Sequence, residues 1–124
     1  MGTPSQPAAN RSQVMVDDHW DDTTVILSCT GTLDMLTALE LERRTAGALD
    51  KRPTSLIVDL SGVDFLASHG MSVLVATAEL CSTTVGFSVV ANGPATSRPM
   101  QLIGLTDLIT VHATLTDALK DLRV

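Results

Sequence analysis

The stretch Leu56-Ile57-Val58-Asp59-Leu60-Ser61-Gly62-Val63-Asp64-Phe65-Leu66-Ala67-Ser68-His69-Gly70-Met71 carries the reading of the fold. Its first five residues are a short apolar run bounded by turn residues, the pattern of a strand buried on both faces. Ser61 to Phe65 then read as a connection leading to Ser68, where a helix is predicted to begin and run to about Ser82. Met71, Leu74, Val75, Ala78 and Cys81 recur there at helical spacing and make one apolar stripe. A buried strand feeding an amphipathic helix is one unit of a parallel sheet with right-handed crossovers.

Toward the N-terminus, Val14 to Val16 and Val25 to Cys29 read as two strands of a hairpin, with the polar run Asp17-Asp18-His19-Trp20-Asp21-Asp22 as its tip. From Asp34 to Leu49, the residues Leu36, Leu39, Leu41, Ala46 and Leu49 alternate with Glu40, Glu42, Arg43 and Arg44, predicting a loosely amphipathic helix that ends before Pro53. Toward the C-terminus, Gly86 introduces a strand from Phe87 to Ala91, and Asn92-Gly93-Pro94 marks a turn. A third helix is predicted from about Ala95 with Gly104 as its stop, then a strand from Leu108 to Val111. A last helix spans Leu115 to Leu122, capped by Thr114 and favoured by Asp117 in its first turn. The order ββαβαβαβα predicts an α/β domain over 14–124, a mixed five-stranded sheet with a parallel core and about four helices. Residues 1–13, rich in Pro, Ser and Ala, read as a flexible leader without the apolar stretch of a secretory signal.

Composition narrows function by exclusion. With 8 Lys and Arg against 14 Asp and Glu in 124 residues, the net charge of −6 has the wrong sign for phosphate backbones or anionic lipid. Neither nucleic acid nor a membrane is expected as partner. Aromatics are limited to Trp20, Phe65 and Phe87, so base-stacking platforms are excluded and the core must be aliphatic. No apolar run approaches the roughly 18 residues that span a bilayer. Cys29 and Cys81 show neither metal-knuckle spacing nor a disulfide framework; both lie on apolar faces and read as buried, reduced hydrophobes of a cytoplasmic protein.

In parallel sheets functional groups collect beyond the carboxyl ends of the strands. Asp34 and the segment Ala67-Ser68-His69-Gly70 fall there. At a helix start, Ser68 has two readings: a cap accepting first-turn amides, or a phosphoacceptor whose phosphate would meet those amides and the favourable end of the helix dipole. Catalysis by Ser68 with His69 as base is disfavoured, because adjacent side chains at a helix start diverge and no G-x-S-x-G elbow surrounds the serine. Asp34 likewise reads as a helix cap, with Thr37 near it. The cluster Asp17, Asp18, His19, Asp21 and Asp22 lacks the Gly and terminal Glu of a calcium loop, and no zinc spacing links His19 and His112. Neither a metal nor a cofactor is expected.

The run Val58 to Met71 resembles the signature of STAS domains, specifically bacterial anti-sigma factor antagonists: a strand ending in D-L-S-G-V, then an aromatic, a phosphorylatable Ser and a Gly opening a helix. Gly31-Thr32-Leu33-Asp34 resembles the family's G-E-L-D segment, and Gly104-Leu105 followed by Leu115 and Ala118-Leu119 resembles its closing pattern. The resemblance implies a non-enzymatic partner switch. The unphosphorylated protein binds an anti-sigma factor, usually itself a serine kinase, and frees a sigma factor; phosphorylation ends the contact and a phosphatase restores it. Carried over, Ser68 is the phosphoacceptor, and Asp34, Ala67, Ser68, His69, Gly70 and Met71 form the partner-binding surface of a monomer or weak dimer in the cytoplasm. Three positions depart from the pattern: Ala67 replaces an Asp, His69 a second Ser, and Thr32 an acidic residue. A second reading is a STAS binding module independent of phosphorylation and controlled by a ligand or by thiol state.

Overall fold

The computed structural model describes residues 13–123. The leader expected over 1–13 lies outside the described residues except for Gln13, whose carbonyl accepts the Thr32 amide at 2.8 Å. The elements follow as β1 (Val14–Asp21), β2 (Thr24–Leu33), α1 (Ala38–Asp50), β3 (Ser55–Leu66), α2 (Ser68–Cys81), β4 (Gly86–Val90), α3 (Ser97–Leu102), a 3-10 turn (Leu105–Asp107), β5 (Thr110–His112) and α4 (Leu115–Arg123). This is the ββαβαβαβα order, and one five-stranded sheet holds the strands in the sequence β1-β2-β3-β4-β5. Only β1 runs antiparallel to its neighbour; β2 to β5 are parallel. The mixed sheet with a parallel core and four helices is the architecture expected.

Alternation along the strands sorts two layers. Val25, Leu27 and Cys29 of β2, Leu56, Val58 and Leu60 of β3, and Val89 of β4 pack with Leu41 and Ala48 of α1, Leu74 and Cys81 of α2, and Met100 of α3. The intervening residues Ile26, Ile57 and Val90 face the other way and meet Ala118 of α4, flanked by Leu115, Leu119 and Leu122. Aliphatic burial on this scale stabilises by about 1.5–3 kcal/mol for each fully buried Val, Leu or Ile side chain. The cap expected for α4 is present: the Asp117 amide donates to Thr114 Oγ1 at 3.1 Å. Gly104 follows α3 in a left-handed conformation at φ 82°, the stop its position suggested.

Two boundaries differ in ways that matter for the site. The acidic run 17–22 is not a hairpin tip; Asp17, Asp18, His19 and Asp21 lie in β1, and the turn is only Asp22-Thr23. The low strand propensity of Asp yields to register. Val16 and Trp20 pair with Cys29 and Val25 on the core face, and Asp18 beside them is met by Arg44 of α1 at 3.3 Å. Ser61 to Phe65 is likewise not a connection but the second half of β3. Since β2 runs to Leu33, its backbone groups need a partner to the end; Gly62 and Val63 supply it after one register shift, and Phe65 and Leu66 after a second. Gly62 passes so close to Thr30 that a Cβ there would stand 2.5 Å from the Thr30 methyl. Smaller offsets place α3 at Ser97 rather than Ala95 and β5 at Thr110 rather than Leu108.

Candidate functional site

The long pairing of β2 with β3 brings the starts of α1 and α2 side by side. Leu33 pairs with Leu66, and the Ala67 amide donates to the Leu33 carbonyl at 2.8 Å, so α2, which follows β3 after the single residue Ala67, begins beside the end of β2. Gly70 makes this approach feasible: a Cβ on it would lie 2.9 Å from Leu66 Cδ1 and 3.0 Å from Leu33 Cβ. Asp34 follows Leu33 directly, which places it in the same corner as Ala67, Ser68 and His69.

Ser68 is not the cap. Ala67 holds the cap position with extended backbone (φ −90°, ψ 172°), Ser68 is the first helical residue, and no side chain among the described residues caps α2. The first-turn amides of α2 are therefore left without a side-chain acceptor, at the positive end of the helix dipole. The Ser68 side chain is exposed, as is His69, while Ala67 is half-buried. Gly70 and Met71 turn inward, Met71 at 8% exposure against the core. They shape the corner from below rather than presenting side chains to solvent.

Asp34 caps the turn that precedes α1, whose own cap position is Thr37. The Asp34 Oδ1 accepts the amides of Leu36 at 2.9 Å and Thr37 at 3.1 Å, and the Asp34 amide donates to Thr37 Oγ1 at 2.9 Å. Thr37 in turn donates its hydroxyl proton to the Thr32 carbonyl at 2.6 Å. The Ala38 amide donates to the Asp34 carbonyl at 2.9 Å, closing a turn over 34–38 that leads into α1. This reciprocal pairing is a capping box in which Thr37 takes the part of the usual Glu.

Residues that the sequence reading did not single out also belong to this corner. Asp64, exposed near the end of β3, accepts the Thr32 hydroxyl at 3.1 Å. It was hidden because β3 was expected to stop at Leu60. Phe65, 55% exposed, follows it. Ser68 also opens onto a shallow groove of about 340 Å³, with Met71 and Val75 of α2 opposite Ile103 and Leu105. Leu105 belongs to the Gly104-Leu105 pair of the closing pattern, whereas Ile103 before it carries no chemical signature that spacing reveals.

Both cysteines are 1% exposed and unpaired. Burial pushes the Cys29 thiol up to about 12, the charge of Asp59 adds to the effect and Arg44 opposes it. Burial raises the Cys81 thiol as well. Neutral, enclosed thiols are poor nucleophiles. Among the described residues, no three His, Cys, Asp or Glu side chains converge as a metal site, and no helix is long and apolar enough to cross a membrane.

Comparison with known proteins places this chain in a lineage. The chain matches the STAS domain model over residues 16–118. It is 41% identical over 110 residues to the anti-sigma-F factor antagonist RsfB of Mycobacterium tuberculosis, covering 89% of this chain and 88% of that protein. The anti-sigma-F factor antagonist RsfA of the same organism is 30% identical over 123 residues, covering 96% and 94%. The crystal structure of an anti-sigma factor antagonist from Mycobacterium paratuberculosis superposes with a TM-score of 0.87 at 38% identity, covering 90% of this chain and 96% of that one. The β2 and β3 ends, the glycine-seated α2 and a match across nearly all of the sheet agree: the chain belongs to the STAS domain family.

Proposed function

We propose that this protein is an anti-sigma factor antagonist: it binds an anti-sigma factor that is also a serine kinase, releases a sigma factor, and is switched off when Ser68 is phosphorylated. The observation that carries the reading is the exposed Ser68 side chain at the uncapped start of α2. A phosphate there meets free amides and the helix dipole, so modification need not unfold the domain. It adds nearly two negative charges to a surface that must lose water to dock. The names of the mycobacterial relatives support the choice of partner class.

In this reading Asp34, Ala67, Ser68 and His69 face the partner, Gly70 and Met71 hold them in place, and a phosphatase restores the binding form. The role is binding rather than catalysis, in the cytoplasm, by a monomer or weak dimer of a domain spanning 14–124. With Ala67 and Thr32 where the resembled family pattern has acidic residues, the edge offers fewer carboxylates to a kinase, which shifts kinase choice rather than abolishing it. Control by thiol state is disfavoured by two enclosed, neutral cysteines. Mass spectrometry after incubation with candidate anti-sigma kinases and ATP tests the reading: phosphate is expected on Ser68, and modification elsewhere with Ser68 untouched would contradict it.

A further inference from the structure

The surface beside Ser68 has a composition that the switch alone does not require. Within α2, Glu79 is the only Asp, Glu, Lys or Arg. The exposed positions of the helix are Ser68, His69, Ser72, Ala76, Glu79 and Leu80, and the groove side of it offers Ser68, Ser72, half-buried Val75 and Ala76 rather than the several charged residues usual on a solvated face. Across the groove, Ile103 stands 61% exposed, while Met100 and Leu105 of the same segment are buried. Apolar side chains gathered along a groove mark an interaction surface. The groove is bounded by Ser68 at one end and Glu79 at the other, the only ionisable residue in its lining. Eleven helical steps lead from one to the other, about 16 Å along the axis.

We propose that this groove receives an aliphatic anchor of the same protein that docks at Ser68, with a cationic residue of that partner facing Glu79. The inference rests on the reading of Ser68 as a docking site and adds what the partner must bring to it. A protein seated on Ser68 covers the mouth of the groove, because Ser68 is part of its wall. Met71, Val75, Ile103 and Leu105 offer no hydrogen bonds from their side chains, so a polar insert would lose its water without recompense. Glu79, once covered, needs an opposite charge for the same reason. The switch then gains a physical cause: a phosphate on Ser68 stands at the lip of an apolar groove, where closing the interface would strip its hydration.

The test measures affinity of the full-length chain for the anti-sigma factor that binds the wild type. Ile103→Asp and Ala76→Arg alter the groove from its two walls at exposed positions, and Ile103→Met keeps it apolar. We expect Ile103→Asp and Ala76→Arg to weaken binding by about tenfold or more and Ile103→Met by less than about threefold, as for a central apolar anchor. Glu79→Lys should weaken binding and reduce its salt dependence. Ile103→Asp and Ala76→Arg chains that bind like the wild type overturn the groove while leaving the Ser68 reading standing; an unimpaired Glu79→Lys chain overturns the cationic contact. A wild type that binds no anti-sigma factor overturns the Ser68 reading itself and the groove's occupant with it.

Discussion

Replacing Asp34 by Ala removes the acceptor of the Leu36 and Thr37 amides. The expected loss is about 1 kcal/mol, read from denaturant unfolding. Ser68→Ala, by contrast, should change stability by less than about 0.5 kcal/mol, since Ala67 and not Ser68 holds the cap position. A large loss from Ser68→Ala would mean that the hydroxyl serves the fold. Gly70→Ala should cost about 1–3 kcal/mol through overpacking, because its Cβ would press on Leu33 and Leu66. Cys29 adds a pH dependence of definite sign. A thiol with the ordinary value of 9.0 when unfolded and about 12 when folded contributes stability that is whole below pH 9 and fades as pH rises from 9 toward 12. Alkaline unfolding curves of Cys29→Ala should therefore be flatter in that window than those of the wild type.

At the scale of elements, the helices were the more legible. Apolar spacing placed α2 within a residue of its observed end, and Thr114 and Gly104 fixed the start of α4 and the stop of α3 as their chemistry implies. Strand extents were less so. Asp17 to Asp21 enter β1 and Ser61 to Phe65 enter β3 because backbone pairing with β2 decides, and a partner strand is not visible in local composition. The same hidden pairing concealed Asp64, whereas Asp34 and Ser68 were found because each follows a recognisable strand. Where α4 crosses the sheet, Ser88 lies buried among apolar neighbours with its hydroxyl unpartnered among the described residues. Ser88→Ala is thus expected to be neutral or to raise stability by up to about 1 kcal/mol in thermal or denaturant unfolding, and a loss larger than that would reveal a partner for the hydroxyl.

For the whole molecule, the division of labour runs along the strand direction. The aliphatic sheet and its two helical layers hold the carboxyl ends of β2 and β3 in register, and that register alone sets the uncapped start of α2 beside the capped turn at Asp34. In the proposed switch nothing in this arrangement needs a moving part: charge added at Ser68 would change what can dock on the corner, not the corner itself. The far end of the sheet, with the turn at Asp22-Thr23, is free of this constraint, and the acidity of β1 there bears on solubility more than on partner choice. The most direct test is the affinity for an anti-sigma factor measured on three forms of the chain: unmodified, phosphorylated at Ser68, and Ser68→Ala treated with the same kinase. Tight binding by the first and third with a loss of about a hundredfold or more in the second is the result expected for a buried dianion without a counter-charge. Equal affinity of all three forms would contradict the phosphorylation switch.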